Sequence, residues 1–444
     1  MSSARCLRWV LAAAVACAGC ERKPQPVEPP SAGGHGAPEQ ETPPAEAKKK
    51  SEQAFRADNW EEALAAARAD GSKNAAARLA KWLAEQKDIA RLASLLGTGG
   101  RAADEFSRHV FEAYSERLEA ELASRQPSGG GGSVEEAFEI LATTDPWTAT
   151  EVAFALGDSK PDAAAVLQAR AGWHAGKADR ERALSFIITA STRNKDAAFS
   201  FGEGVLEEWM VTDTLSASEW IEQVAPLQPS LRELSGMVAS RLAAKSPVTA
   251  VQWLGRLPAA YGEAAAGPLA AGWAQVDPLA ALAWGEEYSE NKNRAGVLED
   301  AVVSAAQVRP EIVLGWLGGN TRLGTDDRAE LVRTASGVWA QRDPRGSFRW
   351  LSENGNKEVS LPAVEGSARA LARRDPRLAT EIALLAVDKG QGVETLLATL
   401  ETWRKYRVVD FTSGVESLAS RLREEGHTRR ADILLSTAAR AGQD

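Results

Sequence analysis

The run Trp339-Ala340-Gln341-Arg342-Asp343-Pro344-Arg345-Gly346-Ser347-Phe348-Arg349-Trp350 recurs almost letter for letter at Trp273–Trp284, and this recurrence constrains the fold more than any other feature. Each copy has a Trp late in one helical stretch, an Asp-Pro corner, and a second Trp six residues past the Pro. Asp supplies a cap oxygen to free amide groups, and Pro at the first helical position forfeits no hydrogen bond. The run therefore reads as a joint between two helices.

Marking the Pro or its equivalent along the chain gives Pro146, Ala178, Thr214, Pro247, Pro278, Pro310, Pro344, Pro376 and Val408, a recurrence every 31–36 residues. A period of this size implies stacked helical hairpins. The preceding residue is a capping type at Asp145, Asp213, Ser246, Asp277, Asp343 and Asp375, with Arg309 as the exception. Three residues past the Pro stand Ala149, Ala217, Ala250, Ala281, Ser347 and Ala379; six past it stand Trp220, Trp253, Trp284, Trp316 and Trp350. Val152, Leu184 and Ile382 are the weaker copies of that Trp. Ala142, Ala243, Ala274, Ala306, Ala340 and Ala372 lie four before the Pro, where a small side chain permits a tight corner. Large beside small lets helices interdigitate, so the Trp column reads as core.

Asp277-Pro278-Leu279-Ala280-Ala281-Leu282-Ala283-Trp284 resembles the junction of tetratricopeptide repeats, where Pro closes one unit and a Trp opens the next at this offset. The Leu-Gly pair that follows that Trp in the family is replaced here by Glu287-Tyr288 or Gly319-Asn320, which implies a shorter first helix. HEAT-like packing is the alternative. The resemblance covers about 135–425. The expected fold class is all-α, a right-handed superhelix of stacked helical hairpins (an α-solenoid) after a disordered N-terminal tether.

Upstream, residues 1–19 read as a secretion leader, with Arg5 and Arg8 before the apolar run Trp9–Ala16. This run is too short for a membrane span. Cys17-Ala18-Gly19-Cys20 resembles a bacterial lipobox, although Cys17 replaces the usual Leu, and the match makes Cys20 the lipidated mature N-terminus. Glu21 rather than Asp after the cysteine implies, by the family's sorting tendency, the outer membrane facing the periplasm. Residues 20–53 are rich in Pro, Gly, Glu and Lys and too poor in apolar side chains to order themselves, so they read as a tether. Lys48-Lys49-Lys50 beside glutamates reads as solvated.

Helical periodicity begins near residue 54, as in the Asn59-capped stretch with Trp60, Ala63, Leu64 and Ala67 on one face. A helical block over 54–125 is followed by a Gly/Ser linker at 126–133 and a tetratricopeptide-like repeat domain over 134–444.

The chemistry-bearing residues are sparse. Cys6, Cys17 and Cys20 are the three cysteines, and the leader and its cleavage site account for them, leaving no disulfide framework or thiolate metal site. His35, His109, His174 and His427 are too far apart in sequence to form a close metal pair. Gly176-Lys177 lacks the flanks of a phosphate loop, and Gly97–Ala102 lacks the strands of a dinucleotide site. The acidic doublets Glu207-Glu208, Glu286-Glu287 and Asp326-Asp327 read as surface charge. A net charge of −9 disfavours nucleic acid as a partner.

These features point to a membrane-anchored envelope lipoprotein, not an enzyme and without cofactor, whose repeats bind protein partners as a scaffold or assembly adaptor. A lipoprotein that binds or cleaves cell-wall glycan through exposed Trp and carboxylates is the alternative.

Overall fold

A computed structural model describes residues 60–86, 88–97, 102–124, 134–292, 295–354, 360–387 and 391–441. The leader, Cys20, the tether, Asn59 and the Gly/Ser stretch at 126–133 lie outside the described residues. Every named element among the described residues is helical apart from one isolated bridge between Leu96 and Ala102.

The N-terminal block consists of α1 (Trp60–Asp70), α2 (Lys73–Gln86), α3 (Ile89–Ala93) and α4 (Glu105–Ser124). Ala63 and Ala67 are buried, and Trp60 stacks on Trp82 with centroids 6.2 Å apart. The hairpins follow as α5 (Val134–Thr144), α6 (Pro146–Ser159), α7 (Pro161–Ala178), α8 (Arg180–Ser191), α9 (Lys195–Thr212) and α10 (Thr214–Val224). Helix α4 packs on α6, and Lys160 pairs with Glu119 at 2.9 Å. These elements belong to one compact unit ending at Leu234, and a second unit runs from Ser235. Helix α11 (Leu234–Lys245) leads into that second unit, which continues with α12 (Pro247–Leu254), α13 (Ala259–Ala274), α14 (Pro278–Lys292), α15 (Ala295–Val308), α16 (Pro310–Gly319) and α17 (Thr325–Arg342). It ends with α18 (Pro344–Asn354), α19 (Ser360–Leu371), α20 (Pro376–Val387), α21 (Val393–Tyr406), α22 (Val408–Glu424) and α23 (Thr428–Arg440).

Within each unit the hairpins stack as in a helical solenoid. The second helix of a hairpin packs on the second helix of the next, as α7 on α9 in the first unit and α13, α15, α17, α19, α21 and α23 in series in the second. The first helices vary in length, and α12, with 8 residues, is the shortest.

Eight of the nine joints fall where the spacing places them. The N–H of the cap residue donates to the carbonyl four residues back in all nine, including Asp343 to Trp339, Ser246 to Leu242, Arg309 to Ala305 and Arg407 to Trp403, at 2.7–2.9 Å. One residue thus ends a helix and begins the next. Asp145, Asp213, Asp277, Asp343 and Asp375 each also accept from the amide three residues on, at 2.9–3.1 Å. Arg309 and Arg407 make no side-chain cap bond and hold the same turn, so the main chain alone suffices for it.

The ninth joint requires a correction. Ala178 is the last residue of α7, while Asp179 caps α8 through the Arg182 amide at 3.1 Å. The Pro-equivalent position is therefore Arg180. This shift puts Ala183, fully buried, in the small column and replaces Leu184 with Phe186 in the large one. Phe186 meets Phe154 and Phe201, each at 5.1 Å. The small column holds at six further joints, where Ala149, Ala217, Ala250, Ala281, Ser347 and Ala379 are all buried, while Val313 takes that position at the 310 joint.

The Trp columns divide. Trp209, Trp339 and Trp403, late in the second helices, are buried, as is Trp253. Trp220, Trp284, Trp316 and Trp350 are half-buried. Trp350 lies 5.7 Å from Trp339, and Trp284 lies 6.0 Å from Trp273. In the last joint the two columns exchange: Phe411 takes the small position and Gly414 the large one, with Trp403 filling the space over Gly414.

The closest helix contacts arise in the long second helices, from residues that the joint pattern does not single out. A Cβ on Gly172 would fall on the Phe201 carbonyl, one on Gly204 on the Ala169 carbonyl, and one on Gly366 on the Arg333 carbonyl. Backbone meets backbone at these places, and the layer of second helices is built on them.

Gly204→Ala is expected to destabilise the chain by roughly 1–3 kcal/mol through overpacking. Gly315→Ala, where nothing lies within 4 Å of the new carbon, should be neutral or gain up to about 1 kcal/mol; urea denaturation of both variants reads the difference. Arg309→Asp should gain about 0.5–1 kcal/mol by restoring the missing cap, measured as a rise in denaturation midpoint.

Candidate functional site

The acidic doublets separate into different environments. Glu286 is buried on α14, where Asn320 Nδ2 donates to it at 2.7 Å and the Arg322 guanidinium pairs with it at 3.2 Å, while Glu287 is exposed. Glu286 thus ties down the loop after α16. Glu208 pairs with Arg180 at 3.2 Å, and Glu207 is exposed. Asp326 and Asp327 are exposed in the first turn of α17, where negative charge complements the helix dipole. His174 Nε2 lies 2.9 Å from Glu139, His109 is half-buried and His427 is exposed. Among the described residues no group of three or more His, Cys, Asp or Glu could hold a metal ion. Lys48–Lys50 and His35 lie outside the described residues, as does the lipidation candidate Cys20.

Two carboxyls carry perturbed chemistry that the sequence reading does not isolate. Glu203, buried on α9, is pushed up to about 7, first by burial and then by Glu207 one turn on. Asp300 on α15 rises to about 6, first by burial and then by Glu299. Its carboxylate lies against the bare Cα of Gly267, where a side chain would displace it. The available signal for Glu203 was an acid between Gly202 and Gly204, residues that mark a close helix contact.

An open groove of about 830 Å³ lies in the first unit, lined by residues including Asp104, Glu105, Arg108, Glu116, Asp158 and Lys160. Much of its charge is committed within the fold. Asp104 caps α4 through the Ser107 amide at 2.7 Å, Arg108 pairs with Glu105 at 3.2 Å, and Lys160 pairs with Glu119 at 2.9 Å.

Exposed aliphatic side chains gather at joints, at Leu215 and Val409 as well as along three successive corners of the second unit. Val248, Val276, Leu279, Val308 and Ile312 are 67%, 61%, 49%, 37% and 37% exposed. Each stands within two residues of the Pro of its joint, at Pro247, Pro278 or Pro310. Neighbouring joints touch, since Gln275 Nε2 donates to Ser304 Oγ at 2.6 Å across the 278 and 310 corners. Three consecutive corners thus carry aliphatic side chains outward, beside columns that bury Ala250, Ala281 and Val313.

All described tryptophans are buried or half-buried. Comparison with protein-family models, curated proteins and solved structures finds no match.

Glu203 makes stability depend on pH. Its folded pKa is above its unfolded value of 4.5, so the folded state holds the extra proton and stability falls as pH rises from about 4.5 through about 7. The full effect is on the order of 3 kcal/mol. Asp300 acts in the same direction below about 6. Thermal melts at pH 5 and pH 8 should show Glu203→Gln losing less stability over that interval than the parent chain.

Proposed function

We propose that this protein is a lipid-anchored envelope lipoprotein whose helical repeats bind other proteins as a scaffold or assembly adaptor. In this reading Cys20 carries the lipid, residues 20–53 hold the repeats off the membrane, and the anchor lies in the outer membrane facing the periplasm. The repeats are tetratricopeptide-like, supported by the Asp-Pro corner, the 31–34 residue period once Arg180 replaces Ala178, and the Trp offset.

The observation that carries the scaffold reading is the contrast between columns at each joint. The buried positions repeat a small set of residues to stack hairpins, while the flanking positions vary and expose Val248, Val276, Leu279, Val308 and Ile312. Contiguous exposed aliphatic surface marks protein association, and repeat arrays present it over long distances. The half-buried state of the indoles favours this reading over an open aromatic platform for glycan. No described helix is long and apolar enough to cross a membrane, so attachment in this reading rests on Cys20.

Metabolic labelling with a palmitate analogue should mark the full chain, and Cys20→Ala should abolish the label and release the protein from membranes; unchanged labelling rejects the anchor. In-cell crosslinking of the full chain should give a discrete adduct with an envelope protein that Leu279→Glu with Val308→Glu removes while circular dichroism is unchanged. An adduct indifferent to that pair of substitutions rejects the corner edge as the docking surface.

A further inference from the structure

Past the aliphatic corners, the same edge of the second unit becomes basic. Around the joints at Pro344, Pro376 and Val408 the segments 340–345, 372–377 and 404–409 hold eight Arg or Lys against two Asp, whereas 243–248, 274–279 and 306–311 hold two against two acids. The chain as a whole carries −9, so this is a local reversal of sign. The three corners form one file. Arg374 Nη1 donates to the Gln341 carbonyl at 3.2 Å, linking the 376 corner to the 344 corner, and the Arg373 guanidinium lies 4.8 Å from the Tyr406 ring centre, linking it to the 408 corner.

Helix geometry accounts for only part of this charge. Arg342, Arg404 and Lys405 stand in last turns and Arg373 and Arg374 in the turn just past the end of α19, where a cation complements the helix dipole. Arg345 and Arg377 are the second residues of α18 and α20, where the dipole disfavours a cation; Arg377 pairs with Glu381 at 3.8 Å, and Arg407 occupies a cap position that Asp fills elsewhere. Arg342, Arg345 and Arg407 are exposed and make no ion pair among the described residues. Both Asp343 and Asp375 spend a carboxylate oxygen on the amides of Gly346 and Leu378.

The geometry points to a docking strip for an acidic protein segment, with carboxylates on the Arg corners and aliphatic side chains on the Val248–Ile312 corners. This assignment rests on the scaffold reading above and names the surface and the chemistry of the partner. Successive corners are one interhelix spacing apart, about 8–10 Å. A polyproline II segment advances about 3.1 Å per residue with three residues per turn, so every third side chain meets successive corners on the same face. Arg forks bind carboxylates in pairs of hydrogen bonds. A nucleic-acid backbone has nothing to set against the aliphatic corners, and a bilayer presents a plane rather than a file.

The test is fluorescence anisotropy on the full-length lipoprotein in detergent. The probe is a labelled peptide with an aliphatic tract followed by glutamate at every third position among prolines and alanines. Binding should weaken at least about tenfold in Arg342→Glu with Arg345→Glu and Arg407→Glu, and fall with added salt. The corresponding Arg→Gln set, which adds no negative charge, should weaken it in the same direction. Equal binding by parent and variants overturns the strip. So does capture of phosphatidylglycerol vesicles through these arginines with no binding of the peptide. If the cellular adduct persists in the Arg→Glu set, the strip falls and the scaffold reading stands. If the parent chain forms no adduct, the scaffold reading falls, while the peptide titration still decides whether the strip binds acidic segments.

Discussion

A single residue that belongs to two helices is the constraint on which the stacked hairpins depend. Seven of these joint residues have φ between −133° and −156° and ψ between 58° and 90°. Each satisfies a last carbonyl of one helix with its own N–H and supplies its own carbonyl to the first turn of the next. Helix ends leave backbone groups without intrahelical partners, and this arrangement uses one residue to serve both ends. With no intervening loop to absorb variation, the two helix axes meet at a fixed angle. Within each unit, hairpins joined in this way follow one another at a short repeat period.

The joint could be read from sequence because its demands are local. Asp and Pro fit the corner, a small residue three past it allows close packing, and this combination recurs at Pro146, Pro278, Pro344 and Pro376. Where the letters weaken, spacing alone misplaced the corner by two residues at Ala178, although Asp179 with buried Ala183 and Phe186 satisfies every column. Arg309 and Arg407 show the converse: the main chain holds the turn without the cap side chain, so a missing Asp is no evidence against a joint.

The candidate site was less legible because its features come from contacts between helices distant in sequence. Glu203 is buried like Glu286, but it is shut in on a helix that packs on α7 backbone to backbone, with Glu207 rather than a cation as the charge that acts on it. Its sequence neighbours Gly202 and Gly204 look like helix weakeners until the partner helix is placed. The corner edge was half visible: the columns flanking the Pro could be listed, yet only the contacts between successive corners show that Val276 and Val308, or Arg342 and Arg374, belong to one surface.

The glycine contacts also bear on how the protein comes apart. In a repeat array, stability is a sum of hairpin terms and neighbour terms, and the neighbour terms here are unequal. Gly172 and Gly204 let α7 and α9 touch along their main chains, and Gly337 and Gly366 do the same for α17 and α19, whereas α22 meets α20 through fewer and longer-reaching groups such as the Arg421–Glu381 pair. Opening should therefore proceed in blocks, with the glycine-seamed pairs surviving as islands after the C-terminal hairpins have exchanged their amides with solvent.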